Sequence, residues 1–462
     1  MIVSKLQNPL AIPMLVLVLM TGVIVALLPP KYTVSLAIVS SIGCLAVLRP
    51  RWLLLGLLLT KASLDQFSQQ ITFFENTIWT FNLLGLLNVG IVLFVIVAAV
   101  GRYVPFQFFL DLPASKPYLL FLIFALFGLI ISKHPVDLIR EWFRLASPFA
   151  IYILAAAASQ RQQEISWFVR LVILSALVPI SIGIYQIISG AGYLSTPGLN
   201  RVNSTFWYPA SCGFYFLIVI MLLIPQIRIE FRFPQKMFLL FLIGLCSLLL
   251  LHTYTRSAWV GVIVAVCLWG LFYSRRLLLT TIMAALVIFL IDPSARNRLG
   301  EILTPQTFSL QGTQIGPQEA LGAINTMQWR LIFWNDMLPF IPASPWIGHG
   351  LGSFDNLAAT TRIGLHIAAH NDYLRILVET GIIGFVLFLW LQWRVLLGAW
   401  KVHRWYLKQW QSVFAVAFIG LYTAILSVSF VDNVLSFHTL GWYLWAYAGI
   451  IHQLYLKNRP SK

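Results

Sequence analysis

Apolar runs of about twenty residues, separated by short polar or Pro- and Gly-containing breaks, dominate the chain. A bilayer core of roughly 30 Å takes about 20 apolar residues in a helix. The runs therefore predict spans near 10–28, 32–48, 52–60, 82–100, 117–131, 142–158, 165–189, 209–227, 237–251, 257–273, 277–291, 373–393, 411–430 and 434–453. The run at 52–60 is short enough to be re-entrant, so the count is twelve to fourteen. The runs are continuous rather than alternating, which argues against barrel strands. The first follows Lys5 without a convincing small-residue cleavage site and is read as an uncleaved first helix. One long polar segment, about 292–372, interrupts the series. Inside it Leu321, Ile324, Met327, Leu331, Trp334 and Leu338 recur at spacings of three and four, one face of an amphipathic helix. That helix would lie on the outer membrane surface, cap a cavity or pack on the bundle. The expected fold is all-α: one polytopic transmembrane bundle over 1–462, with a large outer loop at 292–372.

Composition excludes the water-soluble classes. Of 462 residues, 59% are hydrophobic and 10% charged, with mean hydropathy +0.84. A soluble domain has about 45–50% apolar and about 25% charged residues. The 17 Trp fit interfacial belts. Cys44, Cys212, Cys246 and Cys267 sit in apolar runs without a CxxC and are read as packing residues.

Charge gives sidedness. With the N-terminus inside and the spans alternating, the inner ends collect 19 of the 31 basic residues and only Asp111, Glu164 and Glu230 of the acidic ones. The outer side holds 12 of each sign, so the whole net charge of +16 falls on one face. This positive-inside pattern puts both termini in the cytoplasm. It also accounts for the basic excess without a nucleic-acid partner.

Three features on the outer side carry candidate chemistry. Arg201 lies in a short loop, Asn200-Arg201-Val202-Asn203-Ser204-Thr205-Phe206; Arg256 lies in a tight turn, Thr253-Tyr254-Thr255-Arg256-Ser257-Ala258-Trp259. His370 lies where the large loop enters a helix, His370-Asn371-Asp372-Tyr373. An arginine at the membrane boundary is costly unless paired or hydrated, and snorkelling or lipid-headgroup contact is the plain account of each. Two arginines on one side, each beside hydroxyls, suggest an anion site, because guanidinium matches phosphate oxygens bidentately. A lipid pyrophosphate has its head at that level. His370 is the candidate general base; a capping or packing histidine is the plain alternative. Asp372, Glu379 or Asp432 could orient it, although Glu379 also sits four residues after Arg375, the spacing of an in-helix ion pair. Arg140 and Arg144 are second-rank candidates for the same cavity, with Asn371 and Tyr373 as supporting neighbours. His349, His366, His370 and Asp355 match no strong metal-ligand spacing. No nucleotide-binding motif is visible, so no cofactor is expected and an enzyme here would draw on an activated substrate.

The residues resemble the O-antigen ligase and O-antigen polymerase superfamily. His370-Asn371, nine residues, then Gly381-Ile382-Ile383-Gly384 fits its His-[Asn/Ser/Gln]-x9-Gly-x2-[Gly/Thr/Tyr] pattern without a gap. Trp329-Arg330 through Pro345-Trp346-Ile347-Gly348-His349-Gly350-Leu351-Gly352-Ser353-Phe354 is similar to its Arg…Trp…Pro-Trp-hydrophobic-Gly-x-Gly-x-Gly-x-Phe segment. Arg201…Thr205-Phe206…Pro209 resembles Arg-x-x-Gly-Thr-Phe-x-x-Pro, with Ser204 where Gly is usual. Thr255-Arg256-Ser257-Ala258-Trp259 resembles Ser-Arg-Gly-Ala-Trp.

The resemblance implies a GT-C-type glycosyltransferase of the bacterial inner membrane, working on the periplasmic face without a metal and inverting the anomeric centre. Its donor would be an undecaprenyl pyrophosphate-linked glycan and its acceptor a glycolipid or glycan such as lipid A core. His370 would deprotonate the acceptor; Arg201 and Arg256 would hold the pyrophosphate. A ligase is the leading expectation and a polymerase joining lipid-linked repeat units the alternative. The pilin-directed relatives carry additional C-terminal sequence, whereas this chain ends soon after its last span. A transporter of bicarbonate remains a third reading, without the repeated halves such proteins often show.

Overall fold

A computed structural model describes residues 50–75, 80–100, 106–159, 164–196, 199–230, 232–291, 326–361 and 368–458. The expected spans at 10–28 and 32–48 lie outside these residues, as do Cys44, Leu321, Ile324 and His366 and the side chain of Met327. Each of the other twelve expected spans falls on a helix, in order Pro50–Lys61, Leu83–Val100, Ser115–Phe127, Pro135–Ala158, Glu164–Ser189, Pro209–Ile229, Phe233–His252, Arg256–Tyr273, Arg275–Ile291, Asp372–Trp405, Trp410–Val428 and His438–Lys457. Among the described residues, six helices are long and apolar enough to cross a membrane. The protein is an all-α polytopic helix bundle, with two short antiparallel hairpins as its described strands.

Burial follows hydrophobic pattern. Pro209–Ile229 is apolar on every side, and its residues from Cys212 to Leu223 are buried throughout, which makes it the central helix. Phe233–His252 instead turns Phe238, Phe241 and Leu248 outward, as a lipid-facing helix would. Small residues set the closest crossings. A Cβ on Gly449 would meet the Tyr152 carbonyl and lie 3.1 Å from Ala155 Cβ, so helices His438–Lys457 and Pro135–Ala158 touch nearly backbone to backbone. Gly420 does the same for Trp410–Val428 against Arg256–Tyr273, where a Cβ would stand 2.7 Å from Ala265 O.

Two expectations need correction. The helix at 373–393 runs on to Trp405 and takes in Arg394, Lys401 and Arg404, and it is broken at Gly381, whose φ of 64° and ψ of −171° are not helical. The amphipathic helix exists as Thr326–Met337, and its buried face is only partly the one the spacing suggests: Trp334 packs on the buried cluster and donates to Ala369 O at 2.7 Å. Leu331 and Leu338 are 53% and 49% exposed, whereas Phe333 and Met337 are fully buried against Phe354, Ala358, Ala369 and Val378. The buried face is rotated toward Phe333 and Met337, with Trp334 kept at its edge. That rotation seats Phe333 edge-on against Phe354 at 5.8 Å and aims Arg330 at the bundle.

Candidate functional site

The Arg201 hairpin is fixed from three sides. Tyr193–Thr196 pairs with Leu199–Arg201, and Val202 N donates to His252 O at 2.9 Å. Gln186 Oε1 accepts from Asn203 N at 3.2 Å and Ser204 N at 2.8 Å. Thr205 Oγ1 donates to Ala62 O at 2.6 Å, and Gln66 N donates back to Thr205 O at 3.0 Å. The Arg201 guanidinium then lies across the turn before Arg256–Tyr273: Nε donates to Thr253 O at 2.7 Å and Nη2 to Thr255 Oγ1 at 2.9 Å. These bonds cap the carbonyl end of Phe233–His252 and place Arg201 beside the first residue of the next helix, Arg256. Both arginines are half-buried.

The same helix start reaches His370. Ser257 Oγ donates to Asp432 Oδ2 at 2.7 Å, and Asp432 Oδ1 lies 3.8 Å from His370 Nδ1. Arg330 closes the group: Nη1 donates to Val431 O at 2.6 Å and Nη2 stands 3.5 Å from His370 Nδ1. Burial works against ionisation of Asp432, but contact with His370, the Ser257 hydrogen bond and the Arg330 charge outweigh it and hold its carboxyl below the usual carboxylate range. Burial lowers the Arg330 guanidinium, with Asp432 opposing. Arg201 is thus bonded to Thr255 and His370 faces Asp432, which Ser257 reaches, with Arg256 lying between Thr255 and Ser257 in the chain.

Backbone strain marks the same places. Among the described residues, four non-glycine positions have φ in the left-handed region: Ser204 (51°), Tyr254 (46°), His370 (47°) and Lys408 (65°). Three of these are His370 itself, a residue two before Arg256 and one three after Arg201. Strain of this kind persists only where surrounding contacts over-determine it, and it concentrates at working sites. At Ser204 the conformation also explains why glycine is usual in the motif it resembles.

The glycine-rich turn has a structural role. Gly348, Gly350 and Gly352 have φ of 70°, 94° and 75°, and the turn lies along the break at Gly381. His349 N donates to Val378 O at 3.1 Å, Gly350 N to Glu379 O at 2.8 Å and Ile382 N to Pro345 O at 2.8 Å. A Cβ on Gly381 would come 2.5 Å from Trp346 C and 2.6 Å from Gly348 N. Two glycine segments therefore meet at backbone distance and anchor the large loop next to the helix that begins after His370.

The supporting candidates separate. Asp432, not Glu379, is the carboxylate beside His370. Glu379 Oε1 accepts from Phe354 N at 3.4 Å, on the glycine-turn side. Asn371 caps the helix, its side chain accepting from Leu374 N at 3.0 Å. Tyr373 donates to Leu426 O at 2.9 Å and stacks on Phe430 at 4.2 Å, a packing role. Arg144 pairs with Glu141 in a buried network, while Arg140 is 53% exposed and paired with Asp137 at 3.0 Å, apart from the His370 contacts. His349 Nε2 is engaged with Phe340 O at 2.8 Å, and no group of three metal-ligating side chains comes together among the described residues.

Sequence reasoning gave no role to Arg330 or Ser257, and named Asp372 only as one of three carboxylates that could orient His370. The signal for Arg330 was its place in a motif on an amphipathic helix; for Ser257 it was adjacency to Arg256. Comparison with curated proteins finds none that matches the chain. The O-antigen ligase family model matches residues 239–389, a stretch that holds Arg256, Arg330, the glycine turn and His370. Over that stretch the chain is similar to the O-antigen ligase family.

Proposed function

We propose that the protein is an inverting glycosyltransferase that moves a polysaccharide from undecaprenyl pyrophosphate to an acceptor hydroxyl, such as one on lipid A core, at the periplasmic face of the bacterial inner membrane. The observation that carries this reading is the contact path from Arg201 through Thr255 and Ser257 to Asp432 and His370. The path links residues suited to binding an anion with a residue suited to accepting a proton, which supports a reaction in which an acceptor hydroxyl displaces a diphosphate.

Asp432 draws the His370 proton to Nδ1, which leaves the Nε2 lone pair to accept the proton of the acceptor hydroxyl. The acceptor oxygen then attacks the anomeric carbon from the face opposite the leaving group. The bond from that carbon to the pyrophosphate oxygen breaks, and its electron pair leaves with undecaprenyl pyrophosphate. Arg201 and Arg256 neutralise the charge that develops there. Arg330, whose Nη2 stands 3.5 Å from His370 Nδ1 and whose Nη1 donates to Val431 O, braces the ring beside Asp432. The donor carries its own leaving group, so the reaction needs no nucleotide.

Complementation tests the reading and separates ligase from polymerase. The chain is expressed in one strain lacking its O-antigen ligase and in another lacking the polymerase. Restored attachment of a full ladder to lipid A core is the expected result. Restored chain length without restored attachment would make it a polymerase, and neither would reject glycan transfer in that host.

A further inference from the structure

His370 leaves a backbone that few residues adopt, with φ of 47°, and Asn371 is extended at φ −161° and ψ 101° before the helix begins at Asp372. The direction of the imidazole is therefore set by whatever clamps this turn. Asp372 does so twice: its N–H donates to Ser429 O at 2.8 Å, and its Oδ2 accepts from Leu435 N at 2.9 Å. Ser429 and Leu435 stand three residues on either side of Asp432. A single residue thus fastens the His370 turn to both ends of the turn that carries Asp432.

Asp372 is fully buried, and an uncompensated carboxylate there would be costly. Arg375 Nη2 lies 3.7 Å from its Oδ1, and Arg375 Nη1 lies 3.7 Å from Glu141 Oε2 on a different helix. Glu141 is in turn paired with Arg144. The charges alternate in sign from Asp372 to Arg144, and the series ties the start of Asp372–Trp405 to Pro135–Ala158.

We propose that Asp372, backed by Arg375 and Glu141, is the positioning residue that holds His370 against Asp432. The inference rests on the reading of His370 and Asp432 as the base and its orienting carboxylate. Asp372 touches no reacting atom. A role in fold stability alone would leave the His370–Asp432 relationship intact in any variant that folds; a positioning role makes that relationship depend on Asp372.

Nitrogen-15 imidazole spectra of the full chain in lipid nanodiscs distinguish the two. His370 is assigned by difference from His370→Gln. Asp432→Asn is introduced into the wild-type, Asp372→Ala and Asp372→Asn backgrounds. The buried His452, held by Tyr152 Oη at 2.7 Å and Val395 O at 3.1 Å, reports on the fold. In the wild-type background Asp432→Asn moves the His370 ring resonances. In Asp372→Ala that response falls by more than half with the His452 signals unchanged. In Asp372→Asn, whose amide oxygen still accepts from Leu435 N, it is kept. If the alanine variant loses the His452 signals, Asp372→Ser, too short to reach Leu435, replaces it with the same expectation. An equal response in the alanine or serine background overturns the positioning role and leaves the His370–Asp432 pair standing. No response even in the wild-type background removes the pair itself, and the orientation of the base with it.

Discussion

Ser257 and Asp432 are 175 residues apart in sequence and 2.7 Å apart in space. Their hydrogen bond joins the helix that starts at Arg256 to the turn that faces His370, so the proposed anion-binding and proton-accepting halves of the site share one carboxylate.

That carboxylate has a defined pH signature. The folded value of Asp432 lies below its unfolded one. Its contribution to stability is therefore complete above the ordinary aspartate value near 4 and is lost as pH falls through the folded value. Asp432→Asn should lower stability at neutral pH by about 1–3 kcal/mol, since Ser257 and Arg330 lose a charged partner. The gap to wild type should stay level down to about pH 4 and close below it. Thermal unfolding of both proteins across this range checks it; a gap that widens on acidification contradicts the assignment.

His370→Ala should lower glycan transfer by about 10²–10⁴-fold, the range of a positioned general base. The variant should still insert and fold, because the nearby helix start is capped by Asn371. The readout is attachment in the complemented ligase-deficient strain, with membrane levels of the protein measured in parallel. Transfer at the wild-type rate would remove His370 as the base.

Ser204 offers a test of strain. Its left-handed φ favours glycine, while its Oγ donates to Pro179 O at 2.6 Å. Ser204→Gly relieves the conformation and loses the bond, two effects of about 1 kcal/mol and opposite sign. Ser204→Ala keeps the strain and loses the bond. Unfolding temperatures should therefore rank wild type near Ser204→Gly, with Ser204→Ala below both. The alanine variant matching or exceeding the glycine one would show that the turn is not strained.

Gly381 and Gly348 meet at backbone distance, and both have positive φ. Alanine at either should cost more than about 1 kcal/mol and loosen the large loop, read as faster proteolysis within it. Gly56→Ala is the control, because a Cβ there meets nothing within 4 Å. Equal tolerance at all three positions would contradict the junction.

The helices were legible because a bilayer demands continuous apolar length, and that length is written in the sequence residue by residue. The buried face of Thr326–Met337 was only partly legible, because the rotation is decided by Phe354 and by the reach of Arg330 to Val431, both far away in the chain. Arg201, Arg256 and His370 could be named as candidates from residue type and position. Choosing Asp432 over Glu379 or Asp372 as the partner of His370 needed the three-dimensional path of a turn 62 residues downstream. The glycines of the motif were visible, but their purpose depends on φ and on a contact between two segments, which spacing does not encode.

The most direct measurement of the central claim is binding of undecaprenyl pyrophosphate to the purified protein, with undecaprenyl monophosphate as the comparison. Arg201→Ala and Arg256→Ala should each weaken pyrophosphate binding by about tenfold or more, the worth of a lost charge-assisted contact. Wild-type affinity in both folded variants, or no preference for the diphosphate in the wild-type protein, would contradict it.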